Sequence, residues 1–235
     1  NVVTSAFGHY QLFNAEGYKL NQVDGLDYLI TEQQGLREEI EKNVGPVAFM
    51  SSQLEFFGLV TNGEHSAGAK GIGISAKEEQ KFLTMTQPHE GLHLAESDRF
   101  GVSLGYEFAR KIKAKIGDSI SVVVSTSEGT INAMDFEIVG TFKSGVRQLD
   151  NGVFYIHTGT AMELMEVSGT QKILIGFDTD NELQYEAKLA SFMQGNYPQL
   201  TAVHWQTLAS YFESTMGWLD GIFFIFRWII ILIAT

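Results

Sequence analysis

Between Ser119 and Ile138 apolar side chains recur at every second position, and this period constrains the fold more than any other feature. Ile120, Val122 and Val124 fall on one side of Ser119–Ser125. After a Glu128-Gly129 turn, Met134, Phe136 and Ile138 fall on one side of the next segment. Successive strand side chains point to opposite faces, so this pattern makes a sheet with one face in a core and the other in water. Other parts of the chain must cover that inner face.

Helical periodicity supplies the cover. Leu29, Leu36 and Ile40 predict a helix over Asp27–Asn43, stopped by Gly45-Pro46. Leu104, Phe108 and Ile112 fall at i, i+4 and i+8. Lys111, Lys113 and Lys115 crowd the expected last turn, where the helix dipole favours cations, and Gly117 stands where a left-handed cap is expected. A short helix is predicted over Thr160–Val167, and another over Asp180–Gln194 with Leu183, Ala187 and Ala190 facing inward. Strands are expected at Ala6–Leu12, Pro46–Thr61, Val153–Ile156, Lys172–Phe177 and Thr201–His204, and at Lys70–Ser75 after an Asn62-Gly63 turn. Glu78–Arg99 is polar and broken and reads as loop. Two strand–helix–strand units thus flank a β-rich middle. The fold class is α+β, with residues 1–61 and 170–215 forming one piece and 62–169 inserted into it.

Length and charge narrow the function. A chain of 235 residues can bury a real core. Its net charge of −12 disfavours nucleic acid as a partner, because phosphate contacts need clustered Lys and Arg. The absence of Cys removes disulfides, thiolate nucleophiles, zinc fingers and iron–sulfur clusters. No Gly-rich phosphate loop ending in Lys-Ser/Thr is present, so the chain is not itself an ATPase. Gly71-x-Gly73 lacks the remainder of a dinucleotide fingerprint.

The C-terminus reads GWLDGIFFIFRWIIILIAT. From Ile222 onward only Arg227 and Thr235 are not apolar, and no polar stripe appears. About 14 residues would extend about 21 Å as a helix, against a bilayer core of ~30 Å. The run is expected to begin a transmembrane helix over 217–235. Ile222, Phe223, Phe224, Phe226, Trp228, Ile229, Ile230 and Leu232 would lie in lipid, with Trp218 and Trp228 suited to the interface. A buried core helix is the alternative. Asn1–Tyr10 lacks the basic and apolar regions of a signal peptide, and the missing initiator Met suggests that something precedes it.

His89-Glu90-Gly91-Leu92-His93 matches H-E-x-x-H, in which a helix aligns two His around zinc and Glu acts as base. Gly91 is a poor helix residue, no third ligand is singled out, and a pattern with three fixed positions arises readily by chance. It is therefore expected to be a loop without metal. His9, His65, His157 and His204 are scattered. Phe56-Phe57 reads as an apolar pair, and Glu38-Glu39 and Glu78-Glu79 read as solvated faces.

GVSLGYEFARKIKAKIGDSISVVVS, at Gly101–Ser125, resembles extracytoplasmic domains of FtsX-like and MacB-like ABC transporter permeases, in which a strand ends in Gly and a helix runs to Gly-Asp before the next strand. Gly105, Ala109, Ile112, Gly117 and Asp118 carry the likeness. FEIVGTFKSGVRQLDNGVFYIHTGTAMELM, at Phe136–Met165, is similar to the same family at Val139, Gly140, Phe142, Gly145, Asp150, Tyr155 and Ala161. Gly8-His9 to Tyr18 is similar to the segment emerging from the first membrane helix, and Glu90-Gly91-Leu92 falls in a family loop. The resemblance implies a porter-like α+β piece built from both chain ends, an inserted β-rich piece, and a place between the first and second membrane helices of a permease in the inner (plasma) membrane. It implies a cytoplasmic ATP-binding subunit that holds the ATP and Mg, a second permease subunit, and a lipid bilayer as partners, with no cofactor in this chain. The implied activity is export or release of a lipoprotein, lipid, peptide or drug. A membrane-anchored zinc hydrolase using His89, Glu90 and His93, and a membrane-anchored binding or sensor domain without transport, are the alternatives from other classes.

Overall fold

The structure is a computed structural model that describes residues 8–208 except 24, 32–34, 76, 78–86, 96 and 180. Ten strands form one mixed sheet: β1 (Tyr10–Asn14), β2 (Val47–Thr61), β3 (Ser66–Ile74), β4 (Gln87–Gly91), β5 (Gly101–Gly105), β6 (Ser119–Ser125), β7 (Ile131–Lys143), β8 (Val153–His157), β9 (Lys172–Phe177) and β10 (Leu200–His204). Their order is β10-β1-β9-β2-β3-β8-β5-β7-β4, and β6 pairs with both β2 and β7. The helices are α1 (Ala15–Lys19), α2 (Leu36–Asn43), α3 (Tyr106–Lys111), α4 (Arg147–Gly152), α5 (Thr158–Met165) and α6 (Glu186–Asn196).

The period-two segment is β6 and β7, paired antiparallel with Ile120 opposite Phe136 and Val122 opposite Met134. Because β6 also pairs with the end of β2, the pairings β2-β3-β8-β5-β7-β6-β2 close on themselves. Inside this ring lie Leu54, Phe56, Val102, Leu104, Phe136, Ile138, Phe154 and Ile156, with α3 and α5 adding Phe108 and Leu164. A second core sits on the sheet β10-β1-β9-β2, where α2 and α6 cover Tyr10, Leu12, Ile173 and Ile175. One strand serves both cores. The first half of β2 pairs with β9, and its second half pairs with β3 and β6.

Several expectations from sequence are corrected. The first helix begins at Leu36, not Asp27, because Gly35 turns left-handed at φ +79° and Ile30 exchanges backbone hydrogen bonds with Thr170. In the fourth predicted helix Leu189 and Met193 face inward, whereas Leu183, Ala187 and Ala190 are exposed. That helix opens with a 3₁₀ turn at Glu182–Tyr185, whose three-residue period rotates the buried face. Within 78–99, residues Gln87–Gly91 are strand β4, not loop. There Gly91 faces Gly140 across the ladder, and a Cβ on Gly140 would lie 2.1 Å from the carbonyl of Leu92. Two glycines thus allow β4 to lie close on β7. Gly117 does not cap α3. Lys113 does, at φ +52°, with Ala114 N–H donating to Ala109 O and Lys113 N–H to Arg110 O. Phe56 is buried in the ring, but its neighbour Phe57 points outward and is 77% exposed.

Candidate functional site

Tyr10, the first residue of β1, lies opposite His204, the last of β10. The two ends of the described chain therefore leave the sheet side by side, one strand spacing (~4.8 Å) apart. Residues 205–208 then turn into helix.

Five side chains converge at this exit. Phe177 N–H donates to His9 Nδ1 at 2.9 Å, so that nitrogen is unprotonated, and Trp205 N–H donates to the His9 carbonyl at 3.1 Å. Tyr10 Oη–H donates to the Glu182 carbonyl at 3.0 Å. Trp205 Nε1–H donates to the Glu182 carboxylate at 3.4 Å, and His204 Nε2 stands 3.8 Å from the same carboxylate. Tyr10 and His204 meet edge to face at 5.1 Å. Burial lowers the pKa of His9, opposed by Glu182 and assisted by His204. Burial also raises Tyr10, with Glu186 and Glu182 adding to the effect. Burial would raise Glu182, but hydrogen bonds from its own backbone and Trp205, and the nearby His9 and His204, leave it below its ordinary value. The cluster presents no activated nucleophile. It ties the incoming strand, the outgoing strand and the turn before α6 to one another. His9 and His204 look scattered in sequence because 194 residues separate them; strand pairing alone brings them together.

A second polar cluster sits where the two cores meet along β2. Glu55 binds Lys172 at 2.7 Å and Lys70 at 2.6 Å. Burial would raise its pKa, but the two ammonium groups overcome this and hold it at about 2. The Gln171 side-chain amide accepts from Glu55 N–H at 2.5 Å and donates to Glu55 O at 2.8 Å, extending the β9 ladder by one rung.

The residues carrying the sequence resemblance gather largely at the corner between α3 and α4. A Cβ on Gly105 would lie 2.5 Å from the Asp150 carbonyl. Asp150 is buried, and its Oδ1 accepts from Ser144 N–H and Oγ–H, each at 2.7 Å, fixing the turn at Gly145. Tyr155 packs against Phe142 at 4.8 Å, and Ala109 lies in the ring core. Asp118 accepts from Lys115 N–H at 2.8 Å beside Gly117. These contacts are architectural.

His89 and Glu90 lie on strand β4, and His93 lies two residues beyond its end. His89 packs on Tyr106 at 4.1 Å. The helical register that would align the two His around one ion is therefore missing. Among the described residues, no group of three His, Asp or Glu could hold a metal ion, and no helix is long and apolar enough to cross a membrane. Ile222, Phe223, Phe224, Phe226, Trp228, Ile229, Ile230 and Leu232, with the rest of 217–235, lie outside the described residues.

The fold is similar to those of solved extracytoplasmic regions of ABC-type transporters and a putative permease. The chain resembles the periplasmic region of MacB from Actinobacillus actinomycetemcomitans, with a TM-score of 0.60 and 15% identity over 87% of this chain and 92% of that one. It also resembles the extracellular domain of the noncanonic ABC-type transporter YknZ from Gram-positive bacteria, with a TM-score of 0.56 and 14% identity over 83% of this chain and 98% of that one. A domain of a putative permease protein from Porphyromonas gingivalis aligns with a TM-score of 0.51 and 11% identity over 82% and 86% of the two chains. No protein-family profile and no curated protein matches the sequence.

Proposed function

We propose that the chain is the extracytoplasmic domain of an ABC transporter permease subunit, coupling ATP hydrolysis by a separate cytoplasmic subunit to export or release of a substrate outside the membrane. The observation that carries this reading is the pairing of β1 with β10, which brings Tyr10 and His204, near the two ends of the described residues, side by side, as a domain held between two consecutive membrane helices requires. The likeness in fold to MacB and YknZ supports it. In this reading residues 1–61 and 170–215 form the piece nearest the membrane, 62–169 form the outer piece, and 217–235 begin the second membrane helix. ATP and Mg belong to the partner subunit, a second permease subunit completes the transporter, and the chain holds no cofactor.

Nucleotide state must then bias two arrangements of this domain. The 235 residues contain no Cys, so Glu64→Cys, in the exposed turn after β2, gives this domain a single site for a spin label. In the assembled permease the distance between the two labels is expected to change between the nucleotide-free and ATP-bound states. An identical distance distribution in both states refutes the coupling.

A further inference from the structure

A cavity of about 320 Å3 lies against the middle of β2, between the two cores. The alternation of the strand explains the gap. Met50, Ser52 and Leu54 share one face, because successive side chains point to opposite sides. Met50 packs on the core under α2 and α6, and Leu54 is fully buried in the ring core. Ser52, between them, is half-buried and too small to bridge the two. Leu36, which opens α2, and Met162, on α5, line the cavity from either core. Hydrogen bonds fix its walls. Thr158 Oγ1–H donates to the Ser52 carbonyl at 3.3 Å, and Ile30 and Thr170 exchange backbone bonds at 2.7 and 2.9 Å.

The lining differs from that of the rest of the surface. Ile30, Leu36, Met50, Met162 and Ile173 make it apolar, Ser52, Thr158 and Thr170 add hydroxyl groups, and no charged residue takes part. Clefts of similar size beside β3, α3 and α4 each carry charged side chains. A concave site of this size, apolar with a few convergent polar groups, is the usual form of a small-molecule site. A charged ligand would lose its water here and meet no counter-charge. We propose that the cavity binds an uncharged amphiphile, an alkyl chain ending in a hydroxyl. At ~30 Å3 for each non-hydrogen atom, about ten such atoms fill it. The chain lies between Leu36, Met50 and Met162. Its hydroxyl donates to Thr158 Oγ1, whose own proton is held by the Ser52 carbonyl. The cavity takes such a molecule whether or not the domain belongs to a transporter.

The test follows 13C-methyl methionine resonances in the whole chain, held in an uncharged detergent. Met50 and Met162 line the cavity, whereas Met134 and Met193 do not and report any general effect. Hexanol, octanol and decanol are titrated, each referred to its free aqueous concentration. Octanol is expected to shift the Met50 and Met162 methyls saturably at about 0.1 mM. It should bind about tenfold or more tighter than hexanol, because each buried methylene adds about fourfold. Decanol, too long to fit whole, should bind no tighter than octanol. Octylammonium, which the net charge of −12 attracts, should bind about tenfold more weakly than octanol or worse. Ser52→Leu fills the floor and should weaken octanol about tenfold. Met162→Ala enlarges the cavity and should make decanol the tightest of the three alcohols, a gain that misfolding does not produce. Absence of saturable shifts at Met50 and Met162 up to ~1 mM octanol overturns the proposal. So does affinity that keeps rising through decanol in the unaltered chain, as partition into any oily phase does, and so does octylammonium binding as tightly as octanol.

Discussion

Glu55 shows how much one side chain can hold at the junction of two cores. Glu55 is largely buried between two partly exposed lysines, and replacing it by Gln leaves Lys70 and Lys172 without that counter-charge. Glu55→Gln is expected to cost on the order of 3 kcal/mol in chemical denaturation. Its folded-state pKa of about 2 lies below the ordinary 4.5, so the ionised form is the stabilising one. That contribution is complete above pH 4.5 and fades as pH falls toward 2. His9 acts at higher pH. Its pKa is lowered from 6.5, so the folded state resists protonation, and stability declines once pH drops below 6.5. His9→Asn, which can still accept from Phe177 N–H, should abolish this first acid phase and leave the Glu55 phase in place. A single unchanged acid transition in both variants would contradict the assignment. None of this was legible from sequence, because each cluster joins residues more than one hundred positions apart and a charge pattern shows only near neighbours.

Elements were legible where periodicity was strong and local. Lys172–Phe177 and Ser119–Ser125 are strands with the predicted bounds, since alternation and flanking turns agree there. Errors arose where a tertiary contact or a change of helix type overrode the pattern, as with the Ile30–Thr170 bridge and the 3₁₀ turn before α6. The observed α6 face makes a direct test. Leu189→Ala should cost about 2–4 kcal/mol because Leu189 is fully buried, while Leu183→Ala, at an exposed position, should stay within about 0.5 kcal/mol. Equal losses would mean the face is misassigned. The strand conformation of β4 bears on zinc in the same way. His89→Ala with His93→Ala is expected to leave folding unchanged, and the purified protein is expected to hold no stoichiometric zinc. Tight one-to-one zinc, with peptidase activity lost in Glu90→Gln, would establish the hydrolase instead.

For the whole molecule, the sequence disclosed the α+β class but not the closure of the ring. Alternation marks a strand's two faces and leaves its neighbours open, so nothing in residues 47–61 announces that β2 pairs with three strands. That shared strand also sets a timetable for folding. Among the described residues, the fully buried members of the ring core lie between Leu54 and Met165, whereas the other sheet needs β9 and β10 from later in the chain. Pairings that distant carry a large loop-closure entropy and form late. Pulsed hydrogen exchange during refolding should therefore protect Val122 and Ile138 amides before those of Leu12 and Ile175. Simultaneous protection would show one cooperative unit. In a chain threaded across a membrane from its N-terminus, the ring could assemble while the last strand is still in transit. The sheet that fastens the two exits together would then snap shut only once His204 had emerged, making completion of the fold a signal that the whole domain has crossed.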